Sequence, residues 1–150
     1  METENNTQYL IFSIFEKQYA FPSRIIGEIA LFDTVYPLPL VPAYVLGIIN
    51  RYSVPYALFD IGLLLLKTPS PRKKVLVLKD EIDRIAFLIE DVSGIADISR
   101  EKLFSVEQSQ GAETGDLAEA VSSSFNWDGN DVLVLDIKRI MARVSDEAAR

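Results

Sequence analysis

The sequence contains no cysteine and no histidine. The first absence excludes a disulfide scaffold and thiolate chemistry. The second excludes a histidine general base and a histidine-ligated metal. Apolar runs never extend beyond a few residues, far short of a bilayer span. The opening METENNTQ is polar and acidic and has no apolar signal core, so the chain is expected to stay in the cytoplasm. Basic residues are the minority, and the net charge is −7, which argues against binding a nucleic-acid backbone. None of the seven glycines falls in a GxGxxG or GxxxxGK arrangement, so no phosphate-cradling loop is present.

What remains is 150 residues, 49% of them hydrophobic and 10% aromatic. That is enough apolar material for one packed domain, or for two small subdomains. Residues 1–7 read as a disordered lead-in, 8–144 as a single folded domain and 145–150 as a charged tail. Apolar residues dominate 8–15, and their Ile, Phe and Tyr content predicts a buried strand. Residues 18–22 resume as a strand after the tight connection Glu16-Lys17, which makes a hairpin. Residues 28–32 are extended. A loop follows with Pro37, Pro39 and Pro42, each of which removes an N–H donor and disfavours helix. The loop feeds a strand over 54–59 that ends at Asp60, and 61–67 suits one or two helical turns capped by that aspartate. A second hairpin is predicted over 75–79 and 84–89, around the turn 80–83. A helical turn capped by Ser99 and a long polar loop over 105–120 come next. A third hairpin is predicted around Asp128-Gly129-Asn130. The spacing of Ile137, Ile140, Met141 and Val144 predicts a C-terminal helix.

A weak internal repeat runs through this order. Tyr19-Ala20-Phe21 resembles Ile85-Ala86-Phe87, and Ile26-Gly27-Glu28-Ile29 resembles Val92-Ser93-Gly94-Ile95. Leu58-Phe59-Asp60-Ile61 resembles Val134-Leu135-Asp136-Ile137. Each half then reads as one small β barrel.

Candidate chemistry is sparse. Glu90 and Asp91 are adjacent, with Asp97 nearby, but strand neighbours point to opposite faces and would not converge on one substrate. Asp60 and Asp136 hold equivalent repeat positions, which favours a shared capping role. The cluster Arg72-Lys73-Lys74 reads as a solvated loop, and Trp127 as a half-buried hairpin residue. Ile26 and Glu28 precede the proline loop, and Arg51 and Tyr52 follow it. Tyr and Arg beside a shaped apolar surface are the types that anchor protein interfaces. These residues favour a binding module over an enzyme.

The order Leu38-Pro39, Pro42-Ala43-Tyr44-Val45-Leu46-Gly47-Ile48-Ile49-Asn50, then a strand ending at Asp60-Ile61, resembles the CheW family of bacterial chemotaxis adaptors. Residues 9–12, 19–28, 86–92 and 132–140 extend the resemblance over nearly the whole chain. It implies a mainly β fold: two intertwined five-stranded SH3-like barrels with short helices, a C-terminal helix and a shared apolar core. It implies no catalysis and no cofactor. The partners it implies are the regulatory domain of a CheA-type histidine kinase, the cytoplasmic hairpin tip of a methyl-accepting chemoreceptor taken in a groove between the barrels, and other CheW-like domains in array rings. The protein would be recruited to membrane-associated chemoreceptor arrays.

Position by position, Ile26 and Glu28 match a Val-x-Glu contact segment of the family. Gly47 and Asn50 match its Gly-x-x-Asn-Leu-Arg-Gly loop, and Val75 matches the strand start that lines the receptor groove. The chain departs from the pattern in that loop. The family's Leu-Arg-Gly falls on Arg51-Tyr52-Ser53, so Tyr52 stands at the arginine position with Arg51 beside it. Two readings follow: an adaptor that couples kinase to receptor, or an array spacer or competitor that binds without full coupling.

Overall fold

The computed structural model describes residues 6–79, 83–105 and 116–148. Eleven strands among them form two sheets, in two compact units, residues 24–91 and residues 1–23 with 92–150.

In the discontinuous unit, β1 (Asn6–Ile14) and β2 (Lys17–Pro22) form the first hairpin. Phe15 and Glu16 both take positive φ (54° and 69°) in its two-residue turn. This is the mirror-image turn whose twist suits a hairpin. β10 (Val121–Trp127) and β11 (Asn130–Leu135) form another hairpin over Asp128-Gly129, which also have positive φ. β8 (Asp91–Ser99) and the two-residue β9 (Phe104–Ser105) complete the order β8-β1-β2-β11-β10-β9. Tyr9, Ile11, Ala20, Phe125, Val132 and Val134 pack together as its core. Phe12 stacks on Phe21 with centroids 5.6 Å apart. Both are fully buried, and each such ring contributes about 1.5–3 kcal/mol.

The continuous unit has the order β3-β6-β7-β5-β4, with β3 Ile26–Leu31, β4 Val45–Arg51, β5 Val54–Asp60, β6 Lys74–Leu78 and β7 Ile85–Ile89. Its core gathers Ile49, Tyr56, Leu58, Val75, Val77, Ala86 and Leu88.

The repeat is real, but it divides differently from the sequence reading. β2 runs parallel to β11, with Ala20 opposite Val134. β7 runs parallel to β5, with Ala86 opposite Leu58. These are the repeat-equivalent pairs, and each joins the two halves of the chain. A half therefore does not make its own barrel; each barrel takes strands from both, because the repeat strands pair in parallel and parallel neighbours cannot be joined by a tight hairpin. One sheet has six strands, against the five expected, since β9 adds to the edge of β10.

Smaller differences have local causes. Residues 61–67 give one wide turn, Gly62–Leu66, ended by Lys67 at φ 62°. The turn at Arg100–Lys102 forms, but Ser99 makes no side-chain cap there. The expected loop over 105–120 ends in a short helix α1 (Asp116–Ala120), where Leu117 and Ala120 are buried at helical spacing. Residues 106–115, and the expected hairpin turn at 80–82, lie outside the described residues. The C-terminal helix α2 (Ile137–Ala148) packs on α1 and buries Ile140. Asp136 caps it by accepting from the Lys138 N–H at 2.9 Å.

Candidate functional site

β3 and β4 lie at opposite edges of the five-stranded sheet, and two features join them. The chain leaving β3 curls back so that Tyr36 exchanges two backbone hydrogen bonds of 2.8 Å with Ile48 on β4. Gly47 makes this approach possible. Its φ is +141°, and a Cβ there would lie 2.2 Å from the Tyr36 carbonyl oxygen and 2.9 Å from Pro37 Cα. Only glycine accepts both demands.

The second feature is an ion pair. Glu28 on β3 accepts from Arg51 on β4 through both carboxylate oxygens. The Arg51 Nε–H bonds Oε1 at 3.2 Å, and its Nη2–H bonds Oε2. Both side chains are about 30% exposed (30% and 28%), so solvent screens the pair. The bidentate geometry still fixes the orientation of each group. The Glu28 carboxylate raises the Arg51 pKa above its ordinary value, chiefly through this hydrogen bond. A bulge at Gly27 brings Glu28 into register with Val77 on β6.

Arg51 ends β4, and β5 begins three residues later. The two-residue turn between them is Tyr52-Ser53, with φ values of 53° and 68°. Neither residue is glycine, asparagine or aspartate, the usual occupants of that turn. Tyr52 is 84% exposed, and the Arg51 guanidinium sits 5.4 Å from its ring centroid. The turn thus places a cation, its carboxylate partner and an exposed phenol at one corner of the barrel.

Two hollows flank the fork. One, of about 120 Å³, is lined by Leu31, Thr34, Tyr36, Ile49, Asn50 and Val75 among others. The other, of about 440 Å³, is open and is lined by Gly27, Glu28, Tyr52, Tyr56, Val77 and Lys79 among others. Arg51 borders both.

The structure thus gathers most of the residues singled out in the sequence. Glu28, Arg51 and Tyr52 meet directly, and Asn50 is exposed beside them. Val75 is a buried wall of the smaller hollow. Ile26 starts β3, opposite Leu78, and is half-buried. Gly47 is buried, and its geometry gives it the backbone role above. The Glu28–Arg51 pairing was not legible in the sequence, since the partners are separated by 23 residues and a loop.

The other candidates resolve into structural roles. Asp91 pairs with Lys74 at 2.7 Å, and Arg72 covers Phe32 with 5.4 Å from guanidinium to centroid. Trp127 packs over Gly94, where a Cβ would lie 3.0 Å from its ring. Asp60 is only 2% exposed. It caps the Gly62–Leu66 turn by accepting from the Leu63 N–H at 3.2 Å, and it also accepts from the Ser70 hydroxyl at 2.6 Å and the Ser70 N–H. It is a buried clamp, whereas its repeat partner Asp136 is a half-exposed cap.

A family model for the CheW-like domain matches residues 8–145. Among solved structures, the scaffolding protein TtCheW from Thermoanaerobacter tengcongensis superposes with a TM-score of 0.75. The identity is 13%, and the match covers 87% of this chain and 88% of that one. At that identity the likeness is one of fold. A search of the curated proteins finds no match.

Proposed function

The chain belongs to the CheW-like domain family, a family of chemotaxis scaffold adaptors, and from that premise we propose that it is a non-enzymatic adaptor coupling a CheA-type histidine kinase to methyl-accepting chemoreceptors. In this reading it works in the cytoplasm and joins membrane-associated receptor arrays. The observation that carries it is the corner built by Glu28, Arg51 and Tyr52, bordered by two hollows. A fixed charged fork beside apolar walls is the pattern by which a rigid surface takes an amphipathic helix: the walls bind its apolar face and the fork sets its register. Ile26, Asn50 and Val75 complete the surface. Arg51 supplies a guanidinium from one position before Tyr52, and the turn then turns the phenol outward.

The departure at residues 51–53 supports a second reading, in which the protein binds kinase or adaptor as a spacer or competitor without full receptor coupling. Co-sedimentation with the cognate kinase and receptor fragments tests the first reading, and binding to neither would refute it. A reconstituted kinase assay separates the two, because a spacer binds without restoring receptor control of phosphorylation. Glu28→Lys should weaken partner binding while far-UV spectra stay native. The exchange Glu28→Arg with Arg51→Glu should restore the internal pair but not recognition. Full partner affinity in the exchanged protein would mean that the fork is structural only.

A further inference from the structure

Asp60 does more than cap the turn that follows it. Its repeat counterpart, Asp136, accepts from the Lys138 and Arg139 amides of its own helix. Asp60 accepts from the Leu63 N–H in the same manner, and also from the N–H and hydroxyl of Ser70, ten residues along the chain. The Ser70 oxygen in turn accepts from the Gly62 N–H at 3.1 Å. Both side chains are buried. Capping needs none of the bonds to Ser70. A buried carboxylate is costly to desolvate, and with its donors all aimed at it, it fixes one geometry.

What it fixes is the strap of residues 68–73. Pro69 and Pro71 flank Ser70, and their rings restrict the backbone on both sides of that anchor. The Lys73 N–H bonds the Pro71 carbonyl at 3.1 Å. The far end of the strap grips Phe32 twice. The Lys73 carbonyl accepts from the Phe32 N–H at 3.0 Å, and the Arg72 guanidinium lies 5.4 Å from the Phe32 ring centroid. Phe32 packs, part-buried, on the core of the continuous unit. Its neighbours Leu31 and Asp33 both line the smaller hollow beside the fork. A stiff path thus runs from the buried carboxylate to the rim of the docking surface. Strap and fork occur together: in the other half of the repeat Gly94 stands where Glu28 does, and Asp136 is a helix cap.

We propose that Asp60 is a positioning residue for partner docking: through Ser70 and the strap it holds Phe32, and with it the Leu31–Thr34 rim, in the conformation that the partner meets. This role rests on the adaptor reading of the site. A rim held in this way loses little freedom on binding, so releasing it weakens docking without removing a contact.

The test compares Ser70→Ala, Arg72→Ala and the double variant of the full chain. Ser70→Ala leaves Asp60 its two backbone donors, so it keeps the fold where Asp60→Ala would put folding itself at risk. Amide exchange, read without any partner, should show the Phe32 N–H about tenfold less protected in Ser70→Ala while the amides of β7 are unchanged. Affinity for the kinase or receptor fragment that co-sediments with the wild type should fall about three- to tenfold in each single variant. It should fall no further in the double variant, because both substitutions cut one path. Losses that multiply in the double variant would mean that Arg72 acts on the partner by itself, and they overturn the proposal. So does undiminished affinity in Ser70→Ala, or a Phe32 amide that keeps its protection there. A wild type that binds neither fragment refutes the adaptor reading itself, and the docking role of Asp60 with it.

Discussion

Substituting Gly47 by alanine tests how the continuous barrel closes. The added Cβ would stand 2.2 Å from the Tyr36 carbonyl oxygen and 2.8 Å from its carbon. These are backbone atoms, so no side chain can swing away to make room. The chain must either part the Tyr36–Ile48 bridge or move β4. Parting the bridge forfeits two backbone hydrogen bonds of 2.8 Å, each contributing about 1 kcal/mol net. Holding alanine at φ +141° adds about 1–3 kcal/mol of backbone strain. The expected loss is therefore about 3–5 kcal/mol, a large share of the roughly 5–15 kcal/mol that a domain has in total. Urea unfolding followed by tryptophan and far-UV signals should show the midpoint fall with the slope unchanged. Amide exchange should show Tyr36 and Ile48 losing protection before the rest of the sheet. A loss below about 1 kcal/mol, or intact protection at those two amides, would refute the reasoning: the loop and β4 would then not be in the tight contact argued for Gly47.

Three further perturbations follow from the same logic. Replacing Tyr52-Ser53 by Asn-Gly should raise stability by about 1 kcal/mol, because both positions hold positive φ that those residues accept readily. A lower unfolding midpoint would mean that the Tyr52 ring over Arg51 is worth more than the strain. Asp60→Ala should cost about 3 kcal/mol, since it strands the buried N–H and hydroxyl groups of Ser70 and the N–H of Leu63. Asp136→Ala should cost only about 1 kcal/mol as the loss of a helix cap. Equal losses in paired denaturation curves would contradict the distinction between buried clamp and exposed cap.

The hairpin strands were legible because their signals are local, whereas β4, hidden behind the prolines of the loop, and β8 were not. Alternating or continuous apolar runs mark β1, β2, β6 and β7, and Asp128-Gly129 marks the turn before β11. The cap on α2 was legible for the same reason, as Asp136 and the amides it accepts from are neighbours in sequence. Ser99 misled because a residue suited to capping does not cap unless its rotamer and the turn allow it. The short helix at Asp116–Ala120 was hidden by the polar run before it. The site was half legible: its residues could be named, but not the contact between Glu28 and Arg51.

The amino-acid sequence by itself determined the absence of cysteine and histidine chemistry, the hairpin strands, the repeat and the family resemblance. These depend on composition and on order along the chain. Only the tertiary structure decided which strands share a barrel, that Gly47 serves a backbone crossing, and that Arg51 turns inward to Glu28 while Tyr52 turns out. The reason lies in sequence separation. The parallel pairs β2–β11 and β5–β7, the Tyr36–Ile48 bridge and the Glu28–Arg51 fork each join positions with an intervening segment. Local propensity is the same whichever partner lies across the ladder, and only the closed sheet selects it.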